Sequence, residues 1–312
     1  EGEREIQALV GSLEQSDVLG SRGMRETMPD QHREFFARLP FVLIGSMGGD
    51  GQPHASLLAG PPGFASSPDP RHLTVAALPH RADPLAGALL PGAALGVLGI
   101  EAHTRRRNRL NGFASEVTAS GFTIEAQQSF GNCPKYIQAR RATFIPDAPE
   151  AAGDAQSLAR LDPAAVRMIA EADTFFIASA YPAQPGDAAP AHGVDVSHRG
   201  GKPGFVRIEH GPRADVLSVP DFSGNGLFNT LGNLAVHPRA GLLFVDYERG
   251  DVLHVATDAE IIWEGPELDS FAGAERLLQL HVRQALRIER ALPLRWTEPE
   301  LSPYLFETGD WI

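Results

Sequence analysis

The sequence predicts a mainly β protein made of two similar halves, and three observations support this fold class. First, GPPGF at residues 60–64 returns as GKPGF at residues 201–205, a constant offset of 141. Second, the predicted elements around the two phrases follow the same order. Third, 312 residues correspond to about two domains, and 32 glycines and 25 prolines are typical of many turns between short strands. We therefore expect an internal duplication.

The first half begins with helices and continues with a β hairpin. Apolar residues at helical spacing predict two lead-in helices, at 5–14 and 28–38, and we expect both to pack on this half. FVLIGSMGGDGQPHASLL (41–58) predicts a hairpin because GGDG suits a tight turn. A strand, a short helix and a strand buried on both faces follow: LTVAA (73–77), DPLAGALL (83–90) and ALGVLGI (94–100).

The second half repeats this order. Its hairpin is TFFIASAYPAQPGDAAPAHGVDVS (174–197), with a longer loop. The strand, helix and buried strand that follow are VLSVP (216–220), NGLFNTLGNLAV (225–236) and AGLLFVDY (240–247). Further on, SFAGAERLLQLHVRQALRIER (270–290) places apolar residues on one stripe and predicts an amphipathic helix that packs on its own half or on a partner chain.

Composition and charge exclude several classes of protein. A formal net charge of -12 argues against a nucleic-acid partner, which would favour a basic surface. Cys133 is the single cysteine, so no intrachain disulfide can form, and we expect a reducing, cytoplasmic location. No apolar run approaches the roughly 18–20 residues of a membrane span. Rossmann and P-loop glycine motifs are absent, and neither His-Glu-x-x-His nor paired cysteines point to a metal.

Two stretches of the sequence resemble a known family. HGVDVSHRGGKPGFVRI (192–208) and LSVPDFSGNGLFNTLGNLAVHPRAGLLFVDYERGDVLHV (217–255) are similar to the pyridoxamine 5'-phosphate oxidase-like split barrels that bind flavin mononucleotide (FMN). QSFGNCPKYIQ (128–138) is similar to another segment of that superfamily. The resemblance covers about residues 35–265 and implies FMN as the cofactor.

The resemblance also implies the architecture: tandem FMN-binding split β-barrels that form a pseudo-dimer within one chain, with six strands in each barrel. The expected domains are 1–145, with the lead-in helices and the first barrel, and 166–312, with the second barrel and the C-terminal helix. Residues 146–165, rich in Ala, Asp and Pro, are the expected linker.

The second half offers the residue types that a phosphate needs. In DFSGNGLFNTLGN, Ser223 and Asn225 stand where helix N-cap residues stand, and the neighbouring glycines let backbone amides approach an anion. In the strand before the glycine turn, Asp195, Ser197 and Arg199 alternate onto one face. The candidate cofactor-binding residues of this half are Asp195, Ser197, His198, Arg199, Lys202, Asp221, Phe222, Ser223, Asn225 and Asn229.

The first half departs from this pattern. HRADPL (80–85) stands where the second half has DFSGNG, so Asp83 places a carboxylate where a phosphate would bind, and we expect one phosphate site per chain. The resemblance places Asn132 and Lys135 beside the flavin, as the wall of a site built by the second half. RRRNR (105–109) is interpreted as a solvated, salt-bridged strand edge, with an anion or partner site as the alternative.

Several functions remain open at this point. The first is an FMN-dependent oxidoreductase that moves a hydride or electrons between FMN and a small substrate or a reduced nicotinamide; the sequence assigns no catalytic residue. The second is a non-catalytic flavin-binding or electron-carrying module, and the third is a split barrel that binds haem or a deazaflavin. A homodimer of whole chains is a further expectation, based on the apolar stripe of the predicted C-terminal helix.

Overall fold

The computed structural model describes residues 2–14, 23–146, 154–182 and 193–312, and these ranges confirm the mainly β fold class. His192, most of the second hairpin loop and part of the expected linker lie outside the described residues. Within the described part, no helix has the length and apolar character needed to cross a membrane.

The first barrel is a seven-stranded antiparallel sheet with the order β2-β1-β5-β6-β7-β4-β3. Its strands are β1 (Phe41–Met47), β2 (Pro53–Ala59), β3 (Ala65–Asp69), β4 (His72–Val75), β5 (Ala94–Glu101), β6 (Arg106–Thr118) and β7 (Gly121–Gly131). The predicted tight turn is present between β1 and β2, where Gly51 has a φ of 77°. This sheet contains one strand more than the six expected.

The second barrel repeats the first strand for strand, in the order β11-β10-β14-β15-β16-β13-β12. Its strands are β10 (Thr174–Tyr181), β11 (Gly193–Gly200), β12 (Arg207–His210), β13 (Asp215–Asp221), β14 (Arg239–Val245), β15 (Val252–Ile262) and β16 (Arg276–Ile288). Because the two orders correspond at every position, the topology confirms the duplication.

The remaining strands join the two halves or extend them. β8 (Ala142–Phe144) pairs with β17 (Leu294–Trp296) in a separate two-stranded sheet. β9 (Ala155–Leu158) pairs with β16, so part of the range expected to be a linker is a strand on the second barrel.

The helices are short and peripheral. They are α1 (Gly2–Leu9), α2 (Asp30–Arg38), α3 (Pro84–Ala88), α4 (Pro163–Glu171), α5 (Asn229–Val236) and α6 (Pro266–Asp269), with 3-10 turns at Ala102–Thr104 and Pro303–Glu307. α2 lies on the first barrel, as expected, because its Phe35 and Phe36 enter that core. The expectation for the first lead-in helix is wrong, since Ile6 of α1 packs in the core of the second barrel.

The predicted C-terminal helix over 270–290 is also wrong. Most of it is β16, whose Leu278, Leu280 and Val282 point into the core of the second barrel. The same residues also fit the alternating pattern of a β-strand. Hydrogen-bonded pairing with β13 on one side and β15 on the other stabilises the strand. The apolar residues that suggested a homodimer are therefore buried within the chain, and the homodimer stays a prediction.

The apolar runs are continuous because the strands at the centre of the molecule are buried on both faces. In β1, Val42 and Ile44 face the core of the first barrel, whereas Phe41 and Leu43 belong to a third core between the barrels. Phe176 and Ala178 of β10 enter this third core from the second barrel. Burial of this shared apolar surface holds the pseudo-dimer together.

Glycines at equivalent positions allow the two barrels to approach closely. A Cβ on Gly96 in β5 would lie 2.3 Å from the Val194 carbonyl oxygen, and one on Gly241 in β14 would lie 2.0 Å from the Pro53 carbonyl oxygen. Each barrel thus admits the backbone of the other barrel's second strand, and a side chain at either glycine would force the barrels apart.

Candidate functional site

A cleft lies between the two barrels where the predicted site residues of the second half meet the first half. The first barrel contributes the start of β6 and the segment after β7, and the second contributes the end of β11, the end of β13 and the loop before α5. Nine of the twelve candidate residues line it: Asn132, Lys135, Ser197, His198, Arg199, Asp221, Phe222, Asn225 and Asn229.

Two arginines that we interpreted as a solvated edge lie inside this cleft. Arg107 and Arg109 occupy alternate positions of β6, so both side chains face the second barrel. Arg107 Nε donates to the Cys133 carbonyl over 2.6 Å, and Arg109 donates to the Ser197 hydroxyl. The solvated-edge interpretation is wrong for these two residues, and the alternative of an anion site becomes the better one.

Burial and neighbouring positive charges make both guanidinium groups costly to keep charged. Burial, with the neighbouring charge of Arg109 as the second cause, lowers the pKa of Arg107 to about 9. Burial is also the main reason why the pKa of Arg109 is lowered, although the Asp195 carboxylate partly compensates. Like charges in a desolvated cleft are expensive unless an anion binds between them.

The second barrel supplies the opposite wall. In β11, Ser197 exchanges a 3.0 Å hydrogen bond with the Thr230 hydroxyl, and Arg199 Nη1 pairs with Asp221 at the end of β13. The buried His198 imidazole has a pKa well below its ordinary value because of desolvation first and nearby arginines second, so it is neutral at pH 7. Val194 and Val196 face the core between the barrels, which agrees with the predicted alternation.

The loop before α5 differs from the prediction. α5 begins at Asn229, and the N-cap is Phe228 in the left-handed region, with a φ of 59° and no side-chain cap bond. Ser223 and Asn225 are therefore not N-cap residues. Asn225 instead accepts a 3.1 Å hydrogen bond from the Leu227 amide and approaches Asn132 across the cleft, with 3.5 Å between their side-chain nitrogen and oxygen.

Three predicted residues lie outside the cleft. Lys202 Nζ donates to the Thr308 carbonyl over 2.9 Å, and Ser223 faces the other side of the loop, beside Arg276. Asp195 lines a neighbouring cleft, where it accepts hydrogen bonds from Asn111 over 2.7 Å and from Asn233 over 3.0 Å.

Buried donors without partners give the cleft its chemical character. Arg109 Nε, Arg199 Nε and Asn132 Nδ2 are buried and have no hydrogen-bond acceptor among the described residues. Buried polar groups are rarely left unpaired, because each costs roughly 1–3 kcal/mol. Three such donors, from both barrels, suit a ligand with several acceptor oxygens and negative charge.

The aromatic side of the cleft is formed by Tyr136 and Phe222, whose ring centroids are 5.1 Å apart. Tyr136 has a φ of 63°, and burial is the first cause that raises its pKa to about 12. Tyr304 from the C-terminal segment packs on Tyr136 and lies 5.3 Å from Lys135 Nζ. The cleft thus combines cationic donors with flat apolar surface.

The internal duplication allows this cleft to be compared with its counterpart. The offset of 141 relates Ser56 to Ser197, and the hydrogen-bonded register from strand to strand relates Arg109 to His254. In the counterpart, Ser56 donates to Asp83 Oδ1 over 2.5 Å, and His254 Nε2 lies 3.5 Å from Asp83 Oδ2. Asp83 also caps α3 by accepting from the Leu85 amide.

The counterpart is therefore already filled by the chain's own carboxylate. Asp83 is buried, and it accepts a hydrogen bond from Ser56, the equivalent of Ser197. His254, the equivalent of Arg109, faces the other Asp83 oxygen, but its Nε2 forms no hydrogen bond within the described residues. The register also relates Arg107 to the apolar Val252. The two sites therefore differ in charge: arginines line the cleft, whereas the counterpart contains a carboxylate.

Comparisons with known proteins give no family assignment. No family model and no curated protein matches the chain. Among solved structures, HupZ of Group A Streptococcus is 12% identical, with 41% of this chain and 98% of that chain covered and a TM-score of 0.31.

Two further solved structures match the chain. The heme storage protein HutZ of Vibrio cholerae is 15% identical, with 42% of this chain and 95% of that chain covered and a TM-score of 0.27. The MrkH-c-di-GMP complex of K. pneumonia is 10% identical, with 84% and 87% covered and a TM-score of 0.24. These scores carry no argument about ligand or activity, and the fold assignment rests on strand order.

Proposed function

We propose that the cleft between the barrels binds the phosphate of FMN and that this protein is a flavoprotein. The observation that carries the proposal is the set of three buried, unpartnered donors on Arg109, Arg199 and Asn132 in a cleft that also holds Arg107 and Lys135. This cationic cluster lies within a chain of net charge -12. A phosphate group offers the charge and the several acceptor oxygens that such donors favour.

The residues divide into two groups under this proposal. Arg107, Arg109 and Asn132 of the first barrel and Arg199 of the second bind the phosphate. Tyr136 and Phe222 offer flat apolar surface to the rest of the ligand. Bound FMN would supply reversible transfer of a hydride or of electrons.

Binding requires the cleft to widen. The cleft and its neighbour around Asp195 each enclose about 110 Å³, which is below the roughly 300–1,000 Å³ of pockets that hold whole cofactor-sized ligands. Asn229 lines both clefts and donates to Glu3 Oε1 of α1 over 2.5 Å. We expect α1 or the loop before α5 to shift when the flavin ring enters.

The phosphate can be tested separately from the ring by comparing FMN with riboflavin, which lacks it. Asn132→Asp replaces an unpartnered donor by a carboxylate of the same size, so it should weaken FMN binding by more than tenfold and leave riboflavin binding unchanged. Fluorescence quenching of each flavin measures both constants. Equal affinity of the wild-type protein for FMN and riboflavin would contradict the phosphate assignment.

Haem and a deazaflavin are titrated in parallel with FMN, and haem binding is followed by absorbance. Stoichiometric binding of haem or of a deazaflavin with no binding of FMN would replace the proposed cofactor. Whether NADH or NADPH bleaches the bound flavin under nitrogen separates an oxidoreductase from a non-catalytic flavin carrier. We propose the oxidoreductase first, since an electron donor and a small substrate can reach a cleft that opens at the surface between two barrels.

A further inference from the structure

A second cleft lies beside the two-stranded sheet of β8 and β17. It runs from Arg140 through Pro146 on one side to Tyr247 and the segment 290–299 on the other. It encloses about 950 Å³, which is within the range of pockets that hold whole ligands. It shares no lining residue with the proposed FMN cleft.

Two residues of the lining, Arg140 and Trp296, carry buried donors without partners, so a ligand reaches these donors only when the side chains around them shift. The Arg140 side chain is only 5% exposed, and its Nη2 pairs with Asp173, but its Nε and Nη1 have no acceptor among the described residues. The indole Nε1 of Trp296 is likewise buried and unpartnered within that part of the chain. Two unsatisfied donors from different elements indicate that a ligand with acceptor oxygens completes the site.

The walls of the cleft are flat and aromatic. The Arg140 guanidinium carbon lies 3.8 Å from the centroid of the Tyr247 ring, and Tyr247 meets Trp296 edge to face at 4.9 Å. Trp296 in turn packs against Phe41 of the first barrel at 4.9 Å. This stack is fixed by contacts with both barrels, so it offers a pre-organised surface to a planar ring.

The charges at the rim favour an anion. Arg249 pairs with Asp246, whereas the exposed Arg290 and Arg295 form no side-chain ion pair within the described residues. Glu248 and Glu298 are the acidic residues of the lining, against four arginines. Because Arg140 pairs with Asp173 and Arg249 pairs with Asp246, Arg290 and Arg295 are the arginines of the lining whose charge no ion pair within the described residues neutralises.

We propose that this cleft is a second ligand site, specific for a planar aromatic anion such as an aryl carboxylate, sulfonate or phosphate. The ring lies along Tyr247 and Trp296, and the anionic group takes the free donors of Arg140 and Trp296. Arg290 and Arg295 attract the ligand from the rim. The site is independent of the proposed flavin site, so a negative result for either site leaves the other proposal unchanged.

Naphthalene-2-sulfonate is a suitable probe, and the indole N–H signals of the three tryptophans in a ¹H–¹⁵N spectrum report where it binds. We expect a saturable shift of the Trp296 signal, assigned with Trp296→Phe, while the Trp311 signal stays in place because its N–H donates to the Phe205 carbonyl. A shift of all three signals, or none at Trp296, would overturn the proposal.

Charge variants test the role of the rim. The double variant Arg290→Gln, Arg295→Gln should weaken binding about fivefold, the effect of two exposed charges. Arg283→Gln is the control, since it removes an exposed arginine of β16 outside the cleft, and it should leave binding unchanged. Equal weakening of probe binding by Arg283→Gln would show that the effect comes from the overall charge of the protein, and it would contradict the proposed site.

The alternative occupant of the cleft is a segment of the same chain, residues 147–153, because this segment directly follows Pro146 of the lining. A variant with Gly-Ser residues at 147–153 should bind the probe as the wild-type protein does. Binding by this variant alone would show that the chain's own segment fills the cleft, and the proposal would be abandoned.

Discussion

Replacing Arg107 by Gln is expected to weaken FMN binding and, at the same time, to stabilise the protein without flavin. The Arg107 side chain lines the cleft, and the hydrogen bond that its guanidinium makes within the described residues is the one from Nε to the Cys133 carbonyl. Burial and the charge of Arg109 lower its pKa to about 9, so the folded protein disfavours the charged form. Under the proposed function, a bound phosphate would compensate this charge.

The two effects have different magnitudes. One lost hydrogen bond to a charged phosphate weakens binding by about 1.5–3 kcal/mol, or roughly 10- to 150-fold. Without ligand, removal of a poorly compensated charge should stabilise the fold by about 1–3 kcal/mol, and each kcal/mol raises the melting temperature by about 2–4 °C. The charged Arg107 destabilises the folded protein fully below about pH 9, and this destabilisation falls as the pH rises from about 9 towards 12.5. The full stabilisation by Arg107→Gln is therefore expected at pH 7.5.

Thermal unfolding and FMN titration at pH 7.5 measure both effects on one preparation. Arg106→Gln is the matched control: Arg106 precedes Arg107 in β6 but is exposed, with its guanidinium 5.3 Å from the Phe35 ring. This control should leave FMN affinity unchanged and lower the melting temperature slightly. A lower melting temperature together with unchanged affinity in Arg107→Gln would refute the reasoning.

Three further predictions concern the elements around the cleft. Burial is the first cause that raises the pKa of Glu3, and the nearby Asp195 carboxylate is the second. The stability that the protonated Glu3 contributes is therefore complete below about pH 4.5 and is lost as the pH rises through the raised pKa. Glu3→Gln should therefore melt higher than the wild type at pH 7 and equally at pH 4, and equal melting at both would contradict this. Asp83→Ala should destabilise the fold by roughly 1–3 kcal/mol in urea unfolding, since it removes a helix cap and leaves Ser56 unpaired, yet FMN binding should not change. Gly241→Val should unfold the chain or separate its barrels, seen as a lost cooperative transition, because its Cβ would lie 2.0 Å from a carbonyl oxygen; normal melting would contradict the close approach.

The duplicated fold could be predicted from the sequence because its signals are local. The GPPGF and GKPGF turns, the tight hairpin at Gly51 and the alternation in β11 each depend on neighbouring residues. The runs buried on both faces also indicated strands at the centre of the molecule. These features appear twice, and agreement between the copies made the inference strong.

The cationic wall of the cleft could not be predicted in the same way. Alternating arginines at 105–109 have the pattern of an exposed strand edge, and only the apposition of the second barrel buries Arg107 and Arg109. A usable signal was present: the equivalent positions of the second half hold Val252 and the buried His254. Comparison of the two halves at these positions would have indicated that this face of β6 is an interface.

The prediction of a helix at 270–290 and the prediction of N-cap residues at Ser223 and Asn225 were wrong for different reasons. Leu278, Leu280 and Val282 fit both a helical and an alternating pattern, and hydrogen bonding to β13 and β15 decides between them. In the loop before α5, Phe228 adopts a left-handed conformation that is uncommon for a residue other than glycine. The N-cap is therefore three residues later than the capping pattern at Asn225 suggested.

The stoichiometry of FMN binding tests the central claim most directly. The cleft with Arg107, Arg109 and Arg199 can receive a phosphate, whereas its counterpart contains the buried Asp83 carboxylate. Titration of flavin-free protein at concentrations well above the dissociation constant, followed by flavin fluorescence, should reach its end point at one FMN per chain. An end point at two FMN per chain, or no FMN bound at all, would contradict the account.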